Sequence, residues 1–417
     1  MRIVALTSRV EEKMLAARQH RDAAAESVAS RIVNDVRRRG DAAVFAWTRR
    51  LDGIRLTPRT LWVSASERRA AARAVPKVLR AALEHAARNI RRVAEAQLPP
   101  SWSITIEPGV RVGQRVTAID TIGCYIPGGR FSLVSTLLMT AIPAQVAGVR
   151  RIVVACPRPN AALLAAAEML GLEEIAHIGG AQAIAALAYG TRSVPRVEKL
   201  FGPGNRFVTA AKRLVSADCA IDLLAGPTEL LIVAASGNPR YIAADLLAQA
   251  EHDPEAMALL VTTSRKLAEA VRNAAAEQLS RLPDRNPAKR SLADKGAILL
   301  APNSAAAVRF ANRFAPEHLS IPVEHAELAR KLDAAGSVFL GPWSAQSIGD
   351  YASGTNHVLP TSGGARTRGG LSTADFVRCS SVQYISAAGL RSLGPVVAAL
   401  ADAEGLIAHR RAVEVRQ

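Results

Sequence analysis

Residues 152–189, IVVACPRPNAALLAAAEMLGLEEIAHIGGAQAIAALAY, decide the fold class. The β-branched run at 152–155 predicts a buried strand, and the Ala- and Leu-rich segment 161–170 predicts a helix. A second apolar run at 175–178 is followed by a second helical segment at 182–189. Short buried strands that alternate with helices are typical of parallel sheets, because helices form their crossover connections. The stretch therefore predicts an α/β fold.

The same alternation continues towards the C-terminus. Further short apolar runs predict strands at 230–234, 259–262, 297–300 and 338–340. Helical windows at 241–252 and 305–314 separate most of these strands. The number of strands indicates two α/β units. Outside this region, residues 10–50, 65–95 and 380–417 predict mostly helical segments.

Composition favours a globular protein of the cytoplasm. The chain has 417 residues and is 49% hydrophobic, so it can bury large cores. No apolar run approaches the roughly 20 residues of a membrane helix, and the charged N-terminus is unlike a signal peptide. The cysteines are scattered without CxxC spacing, which predicts reduced thiols rather than a zinc finger or disulfides. They are Cys124, Cys156, Cys219 and Cys379.

The net charge of +17 comes mostly from arginine. A basic surface is one signature of nucleic-acid binding. Here the arginines are spread along predicted helix faces such as 68–73 and 88–92, without an aromatic platform or a recognition motif. We therefore expect neither a nucleic-acid partner nor a membrane partner.

A polar segment near the C-terminal third, GDYASGTNHVLPT at 349–361, predicts a functional site. Its Gly, Ser, Thr and Asn content disfavours an ordinary helix or strand, and Pro360 removes a backbone donor near its end. The segment carries a carboxylate, Asp350, and an imidazole, His357. A loop that holds a candidate metal ligand and a candidate acid/base indicates a binding or catalytic site rather than a plain connection.

Two other segments carry groups of the same kind. Gln249 and His252 are three residues apart near the end of a predicted helix, so one helix face can offer an amide oxygen and an imidazole to a metal. An ordinary polar helix end is the alternative. Glu317 and His318 can supply a base and a proton shuttle, with a solvated loop pair as the alternative. His409, near the C-terminus, is either a metal ligand or a surface histidine.

Three glycine-rich turns lie in the middle third, at 127–129, 179–182 and 202–205. Such turns let backbone amides approach a phosphate closely, although ordinary tight turns have the same composition. None matches GxGxxG, and the GxxxxGK[ST] P-loop is absent, so a nucleotide would bind in an unusual way. Cys124, beside the first turn, fits a buried apolar thiol better than a nucleophile.

These separate groups combine into one hypothesis. Four oxygen or nitrogen donors can complete a Zn²⁺ shell without thiolates. They are Gln249, His252, Asp350 and His409. Four further polar residues remain as acid/base and substrate-orienting groups. These are Glu317, His318, His357 and Glu404. The partition is that of an enzyme in which a metal positions the substrate.

With these residues in place, the sequence resembles the histidinol dehydrogenase family over nearly its whole length. The ordered segments that carry the resemblance are IVNDVRRRGDAAVFAWTRRLDG (32–53), GCYIPGG (123–129), AIPAQVAGV (141–149), HIGGAQAIAALAYGT (177–191), FGPGNRFVTAAKR (201–213), AGPTEL (225–230), LLAQAEHDPE (246–255), FAPEHL (314–319), GDYASGTNHVLPT (349–361), GLSTADF (370–376) and EGLIAHRRAV (404–413).

The resemblance implies an oxidoreductase that converts L-histidinol through histidinaldehyde to L-histidine with two NAD⁺, the last steps of histidine biosynthesis. A paralogous zinc-dependent NAD dehydrogenase of another small polar or amino alcohol is the alternative. The resemblance also implies that His318 accepts the alcohol proton and that Glu317 activates the water that hydrates the aldehyde. It implies a homodimer with shared active sites, in which Zn²⁺ is held by Gln249, His252 and Asp350 together with His409 of the partner subunit.

The same resemblance assigns the binding residues. Besides the four metal ligands and His318, the substrate contacts would be Thr228, His357 and Glu404. The NAD contacts would lie on the glycine-rich turns, at Tyr125, Gln182 and Asn205. Three positions near the site depart from the family pattern without removing a catalytic group. They are Thr228 where Ser is usual, Gln346 where Glu is common and Asp253 where Gly is usual.

For the fold, we expect two incomplete, doubly wound Rossmann-like α/β domains with helical N- and C-terminal extensions. Residues 1–22 would form the N-terminal helical extension. Residues 23–120 and 230–375 would form a discontinuous first domain with the zinc and catalytic residues. Residues 121–229 would form a second domain with the NAD-binding turns, and residues 376–417 a helical tail that contacts the dimer partner.

Overall fold

The computed structural model describes residues 1–18, 22–128, 133–323 and 326–417. Its strands are β1 (Arg2–Ala5), β2 (Trp102–Glu107), β3 (Val110–Ala118), β4 (Thr121–Tyr125), β5 (Arg151–Ala155), β6 (Ile175–Ala176), β7 (Lys199–Phe201), β8 (Ala220–Ile221), β9 (Glu229–Val233), β10 (Met257–Thr262), β11 (Ala297–Leu300), β12 (His318–Ile321), β13 (Ser337–Leu340) and β14 (Val377–Ile385).

Its α-helices are α1 (Ser8–Ala16), α2 (Ala23–Arg39), α3 (Asp41–Asp52), α4 (Ala65–Ala74), α5 (Lys77–Gln97), α6 (Val134–Ala147), α7 (Ala161–Met169), α8 (Gly180–Tyr189), α9 (Arg206–Val215), α10 (Pro239–Ala250), α11 (Arg265–Ser280), α12 (Ala288–Asp294), α13 (Ser304–Phe314), α14 (Ala326–Arg330), α15 (Gln346–Tyr351), α16 (Ala387–Ala403) and α17 (Ile407–Glu414). Two 3₁₀ turns lie at Gly364–Arg366 and Thr373–Phe376.

Two parallel sheets organise these elements. The six-stranded sheet has the order β1-β11-β10-β9-β12-β13, and the five-stranded sheet has the order β6-β5-β4-β7-β8. Counted from β9 and from β4, both sheets follow the order 3-2-1-4-5, with β1 added beyond β11. This is the doubly wound Rossmann order without its sixth strand. The predicted α/β class with two incomplete Rossmann-like units is confirmed.

Asparagine side chains define the start of two helices in the five-stranded unit. The Oδ1 atom of Asn160 accepts a hydrogen bond from the backbone N–H of Leu163 in α7. The Oδ1 atom of Asn205 accepts from the N–H groups of Phe207 and Val208 in α9. Each such cap contributes about 1 kcal/mol by satisfying a helix donor that has no partner within the helix. Both helices therefore begin at fixed points beyond the ends of sheet strands.

The helices of the N-terminal third cover the five-stranded sheet. The apolar stripe of α2, with Ile32, Val33 and Val36, packs into one core with α8 and α9. On the other face, Leu83 and Ile90 of α5 join the core around α6. This packing differs from the predicted grouping of 23–120 with 230–375. An amphipathic helix is stabilised by whichever layer buries its stripe, and that layer is not encoded in the helix itself.

Both chain termini contribute strands. β1 pairs in parallel with β11, and α1 packs on the core beneath that edge, so the first residues are part of the six-stranded sheet rather than a helical extension. The tail begins with β14, which pairs antiparallel with β3 in a three-stranded sheet completed by β2. Its later part is helical, as predicted. In the described ranges, no helix has the length and apolarity needed to cross a membrane.

Candidate active site

Glu317 and His318 lie side by side where β12 begins, and they are buried, with 6% and 3% exposure. The Oε2 atom of Glu317 accepts hydrogen bonds from the hydroxyl of Thr228 and, at 2.7 Å, from the backbone N–H of Glu229. The Nδ1 atom of His318 lies 3.2 Å from the carbonyl oxygen of Glu229 and 3.5 Å from Oε2 of Glu317. The first residue of β9 thus fixes both side chains, and the solvated-loop alternative does not apply.

The second ring nitrogen of His318 is available to a bound molecule. Its Nε2 atom is buried, has no hydrogen-bond partner in the described ranges, and lies 3.6 Å from Oδ1 of Asp350. Burial lowers the pKa of His318, but the carboxylates of Glu317 and Asp350 outweigh burial and raise this pKa to about 10. A dication at Asp350 would oppose that rise, because it offsets the carboxylate charge. An imidazole held through Nδ1 can exchange a proton through Nε2.

A chain of amide hydrogen bonds connects Thr228 with Asp350. The Nε2 atom of Gln249 donates to Oγ1 of Thr228 at 2.5 Å. The Nε2 atom of Gln346 in turn donates to Oε1 of Gln249 and lies 3.5 Å from Oδ2 of Asp350. Gln249 and Gln346 are both buried. The amide oxygen of Gln249 and the carboxylate of Asp350 therefore lie beside the same nitrogen and are close neighbours.

These donors fit a zinc ion in their chemistry, since oxygen and imidazole ligands are typical of zinc sites. His252 lies just beyond the end of α10 and is exposed. Burial raises the pKa of Asp350, but the bond to His318 and the nearby charges of His318, His357 and His252 lower this pKa overall. Of the predicted ligands, Gln249 and Asp350 thus lie close together, and the charge of His252 acts on Asp350. In the described part of one chain, no group of three or more His, Cys, Asp or Glu side chains is placed to hold a metal.

The tail residues lie elsewhere in the single chain. Glu404 follows α16, and His409 lies in α17; both are exposed. α17 packs against α16, which in turn packs against β14. The fold of one chain therefore does not bring these two residues to the other predicted ligands.

His357 connects the unit of the five-stranded sheet with that of the six-stranded sheet. Its Nε2 atom lies 3.0 Å from the hydroxyl of Thr136 in α6, and its Nδ1 atom lies 3.1 Å from the carbonyl oxygen of Asp350. Burial lowers the pKa of His357, which favours a neutral ring. The predicted loop 349–361 begins as the end of α15, so Asp350 is on a short helix. These contacts join α6, which follows β4, to α15, whose Asp350 lies 3.6 Å from His318 at the start of β12.

The predicted nucleotide residues lie on the five-stranded side of this junction. Tyr125 ends β4, and its hydroxyl accepts a hydrogen bond from the N–H of Gly180 at 3.2 Å. Burial raises the pKa of Tyr125 to about 12, so the phenol stays neutral. The Nε2 atom of Gln182 donates to Oδ2 of Asp52 at 3.0 Å, while its buried Oε1 atom has no partner in the described ranges.

The third glycine-rich turn is rigidly held beside Tyr125. Gly202 has φ of +108°, and a Cβ atom at this position would lie 2.1 Å from the carbonyl oxygen of Tyr125. The carboxylate of Asp222 accepts a hydrogen bond from the N–H of Gly202 at 2.7 Å, and Lys212 donates to the carbonyl of Gly202 at 2.9 Å. Asn205 caps α9 immediately after the turn. The turn follows β7, which neighbours β4 at the topological switch point where α/β sheets bind ligands. In the first turn, Gly129 lies outside the described residues.

Known proteins of one family are similar to this chain over nearly its whole length. The sequence profile of the family described as Histidinol dehydrogenase matches residues 15–417. The chain belongs to the histidinol dehydrogenase family. It is 47% identical over 393 residues to a histidinol dehydrogenase of Halalkalibacterium halodurans, with 92% of each chain covered. It is 44% identical over 419 residues to one from Synechococcus sp., with 98% of this chain and 96% of the relative covered.

A solved relative has the same fold. The crystal structure of histidinol dehydrogenase from Elizabethkingia anophelis superposes with a TM-score of 0.93 at 35% identity, covering 100% of this chain and 98% of that chain. As a member of the histidinol dehydrogenase family, the chain is an oxidoreductase.

The sequence pattern did not identify several residues that build this candidate site. Gln346 stood out only as a departure from the family pattern, although its amide contacts two predicted ligands. Glu229 carried a usable signal, because a carboxylate at the start of a buried apolar strand requires a partner. That partner, Arg18, is 211 positions away, and no local pattern points to it. Thr136 and Asp52 were missed for the same reason.

Proposed function

We propose that the chain oxidises L-histidinol to L-histidine in two NAD⁺-dependent steps at the Glu317–His318 pair. The observation that carries this proposal is the buried pair itself. One nitrogen of the imidazole is fixed by β9 and the other is directed at Asp350, while one oxygen of the adjacent carboxylate is fixed by Thr228 and Glu229. Each group keeps one free atom for chemistry, so a single site holds two bases.

In the first oxidation, His318 would act as the base. The hydroxyl proton of the alcohol would pass to Nε2, and the hydride from the same carbon would pass to the nicotinamide ring of NAD⁺, which leaves the aldehyde. The Nδ1 bond to Glu229 would hold the ring in one orientation during the transfer. Burial of the pair would exclude bulk water from this step.

In the second oxidation, Glu317 would act as the base. Its carboxylate would take a proton from the water that adds to the aldehyde, and the resulting hydrate would give its hydride to a second NAD⁺ and form the carboxylate product. The Oε2 atom is occupied by two donors, so Oε1 is the atom available for this proton.

We propose that Gln249, His252 and Asp350 hold a zinc ion together with His409 of the partner subunit. When bound, the zinc ion would fix the imidazole and amino nitrogens of the substrate. Thr228 and Gln346 would orient the side chain of Gln249. Glu404 of the partner subunit and His357 would complete the substrate contacts.

A homodimer with shared sites is part of this proposal. His409 and Glu404 are exposed and separate from the site in one chain, which supports a contribution from the tail of a second chain. The tail also exposes Leu400 and Ile407 at 61% and 63%, and exposed apolar side chains of this kind favour a protein interface.

For the cofactor, we propose that NAD⁺ binds at the carboxyl ends of β4 and β7, with contacts from Tyr125, Gln182 and Asn205. Two helix N-termini, those of α8 and α9, point towards this region and suit a pyrophosphate. We also propose a cytoplasmic location, in keeping with the free thiols of Cys124 and Cys379.

The direct experiment measures NADH formation from L-histidinol and from a panel of small polar alcohols and amino alcohols, before and after metal removal. We expect two NADH per histidinol, loss of turnover after metal removal and recovery with Zn²⁺. Preferential oxidation of another amino alcohol would contradict the substrate. Full activity in a rigorously metal-free sample would contradict the metal.

Mixed dimers test the shared site. His409→Ala subunits are mixed with His318→Ala subunits, each inactive alone. In a randomly mixed population half of the dimers are hybrids with one intact site of two, so about a quarter of the wild-type activity should return. No recovery after demonstrated subunit exchange would place all ligands within one chain.

A further inference from the structure

We infer that the buried ion pair between Arg18 and Glu229 holds Glu317 and His318 in their working positions, which makes Arg18 and Glu229 positioning residues for the reaction. The inference rests on the proposed roles of Glu317 and His318. It assigns a function to the segment of chain that precedes α2 and that contributes no proposed ligand or base.

The ion pair is a two-pronged contact across the fold. The Nε atom of Arg18 donates to Oε1 of Glu229 at 2.7 Å, and its Nη2 atom donates to Oε2. Each side chain is only 3% exposed. A planar guanidinium that faces a carboxylate through two parallel hydrogen bonds fixes the orientation of both groups as well as their distance. Glu229 therefore has little freedom to rotate or shift.

Fixing Glu229 also fixes the proposed bases. Its N–H donates to Oε2 of Glu317 at 2.7 Å, and its carbonyl oxygen lies 3.2 Å from Nδ1 of His318. Any displacement of this one residue would change both contacts together. The side chain of Glu229 is thus fixed by Arg18, and its backbone groups contact Glu317 and His318.

Arg18 also contacts the chain that leads into Glu317. Its Nη1 atom donates to the carbonyl of Phe314, and its Nη2 atom lies 3.2 Å from the carbonyl of Ala315. The guanidinium lies over the ring of Phe314, 3.7 Å from its centroid. The carbonyls of Phe314 and Ala315 lie at the C-terminal end of α13, where a cation also complements the helix dipole. The guanidinium of Arg18 therefore connects β9, which contacts Glu317 and His318, to the turn at Ala315 that leads into Glu317.

Two unusual backbone conformations lie against the same ion pair. In the described ranges, Ala315 and Ser362 are the two residues other than glycine with positive φ, +46° and +56°. Arg18 bonds the carbonyl of Ala315, and the N–H of Ser362 donates to Oε1 of Glu229 at 3.2 Å. Such conformations are disfavoured for residues with a Cβ and persist where surrounding contacts impose them, often at functional sites. Their convergence here favours positioning over general stabilisation.

A second buried arginine provides a matched control. Arg68 in α4 lies 3.2 Å from the carboxylate of Glu168 in α7 and donates to the carbonyl of Glu173 at 3.1 Å. It joins distant segments through a carboxylate and a backbone carbonyl, as Arg18 does. Its contacts are in the five-stranded unit, away from Glu317 and His318. A purely structural role for Arg18 predicts that Arg18→Lys and Arg68→Lys behave alike.

The test compares Arg18→Lys, Glu229→Gln and Arg68→Lys in the full-length protein. Thermal unfolding, zinc content, kcat, and KM for histidinol and NAD⁺ are measured for each. We expect Arg18→Lys and Glu229→Gln to lower kcat by roughly 10- to 100-fold, the effect of slightly misplaced catalytic groups, with KM for NAD⁺ little changed. Arg68→Lys should keep its kcat. Because lysine keeps the charge of Arg18, the loss would report the two-pronged geometry.

A double variant covers the case in which the single variants do not fold. Arg18→Met combined with Glu229→Met leaves no unpaired buried charge, and such apolar replacements often leave stability unchanged. We expect a folded protein with the same fall in kcat. A folded Arg18→Lys or double variant with the kcat of Arg68→Lys would overturn the inference.

Glu317→Gln and His318→Gln are assayed alongside. If these variants are slow while Arg18→Lys is not, the positioning role of Arg18 is refuted and the proposed roles of Glu317 and His318 stand. If they retain the wild-type rate, the proposed roles of the pair fail, and a slow Arg18→Lys would then act by another route, which also overturns the inference.

Discussion

Replacing Thr228 with valine should impair the site through two hydrogen bonds. The hydroxyl of Thr228 donates to Oε2 of Glu317 and accepts from Nε2 of Gln249 at 2.5 Å. Valine has nearly the same shape and makes neither bond. A hydrogen bond to a charged acceptor contributes about 1.5–3 kcal/mol and a neutral one about 0.5–1.5 kcal/mol, so together they are worth about 2–4.5 kcal/mol.

Because both bonds orient groups that act on the substrate, we expect transition-state stabilisation to fall by about 2–4.5 kcal/mol. At about 1.4 kcal/mol per factor of ten, kcat/KM for histidinol should fall by roughly 30-fold or more. Steady-state kinetics with histidinol and with histidinaldehyde measure the effect. Thr228→Ser is the control, since it keeps the hydroxyl and should stay close to wild type. Wild-type kcat/KM in Thr228→Val would refute the reasoning.

Three further predictions concern the surroundings of the site. Gln346→Met should weaken zinc binding by about 10- to 100-fold in chelator competition, because Gln346 orients two proposed ligands; unchanged affinity would contradict this. Gly202→Ala should raise KM for NAD⁺, because its Cβ would meet the carbonyl of Tyr125; an unchanged KM would speak against the cofactor position. Burial raises the pKa of Cys124 to about 12, so at pH 8 the thiol stays protonated. Iodoacetamide should therefore label Cys124 only after unfolding, and Cys124→Ala should stay active; rapid labelling of the native protein would contradict its burial.

The parallel strands β5, β9, β10 and β11 could be predicted from the sequence because they are largely buried on both faces. β10 and β11 are continuous apolar runs, and the predictions at 259–262 and 297–300 fall within them. β2 and β14 were missed because their side chains are largely exposed, so neither a buried run nor a clear alternation marks them. The layer covered by α2 was also unpredictable, since an apolar stripe does not identify its partner.

For the site, the sequence and the family resemblance identified side chains with reactive or ligating groups. Glu317, His318 and Asp350 are joined by contacts in the fold, and Gln249 is linked to Asp350 through Gln346. The residues that hold them in place could not be found in the same way. Arg18 acts through a contact 211 positions away, and Gln346 is chemically unremarkable until its two oxygen neighbours are known. Contacts between residues that are distant in the sequence arise from the fold, and no local sequence pattern predicts them.

One site with two bases would carry out both oxidations, and Glu317→Gln tests this most directly. The glutamine oxygen can still accept from Thr228 and Glu229, so the geometry of the pair should persist. Rapid kinetics then measure the oxidation of histidinol to the aldehyde separately from the oxidation of added histidinaldehyde. We expect the first step to stay within a few-fold of wild type and the second to fall by roughly 10²- to 10⁴-fold, the usual contribution of a general base. Equal losses in the two steps would contradict separate roles for Glu317 and His318.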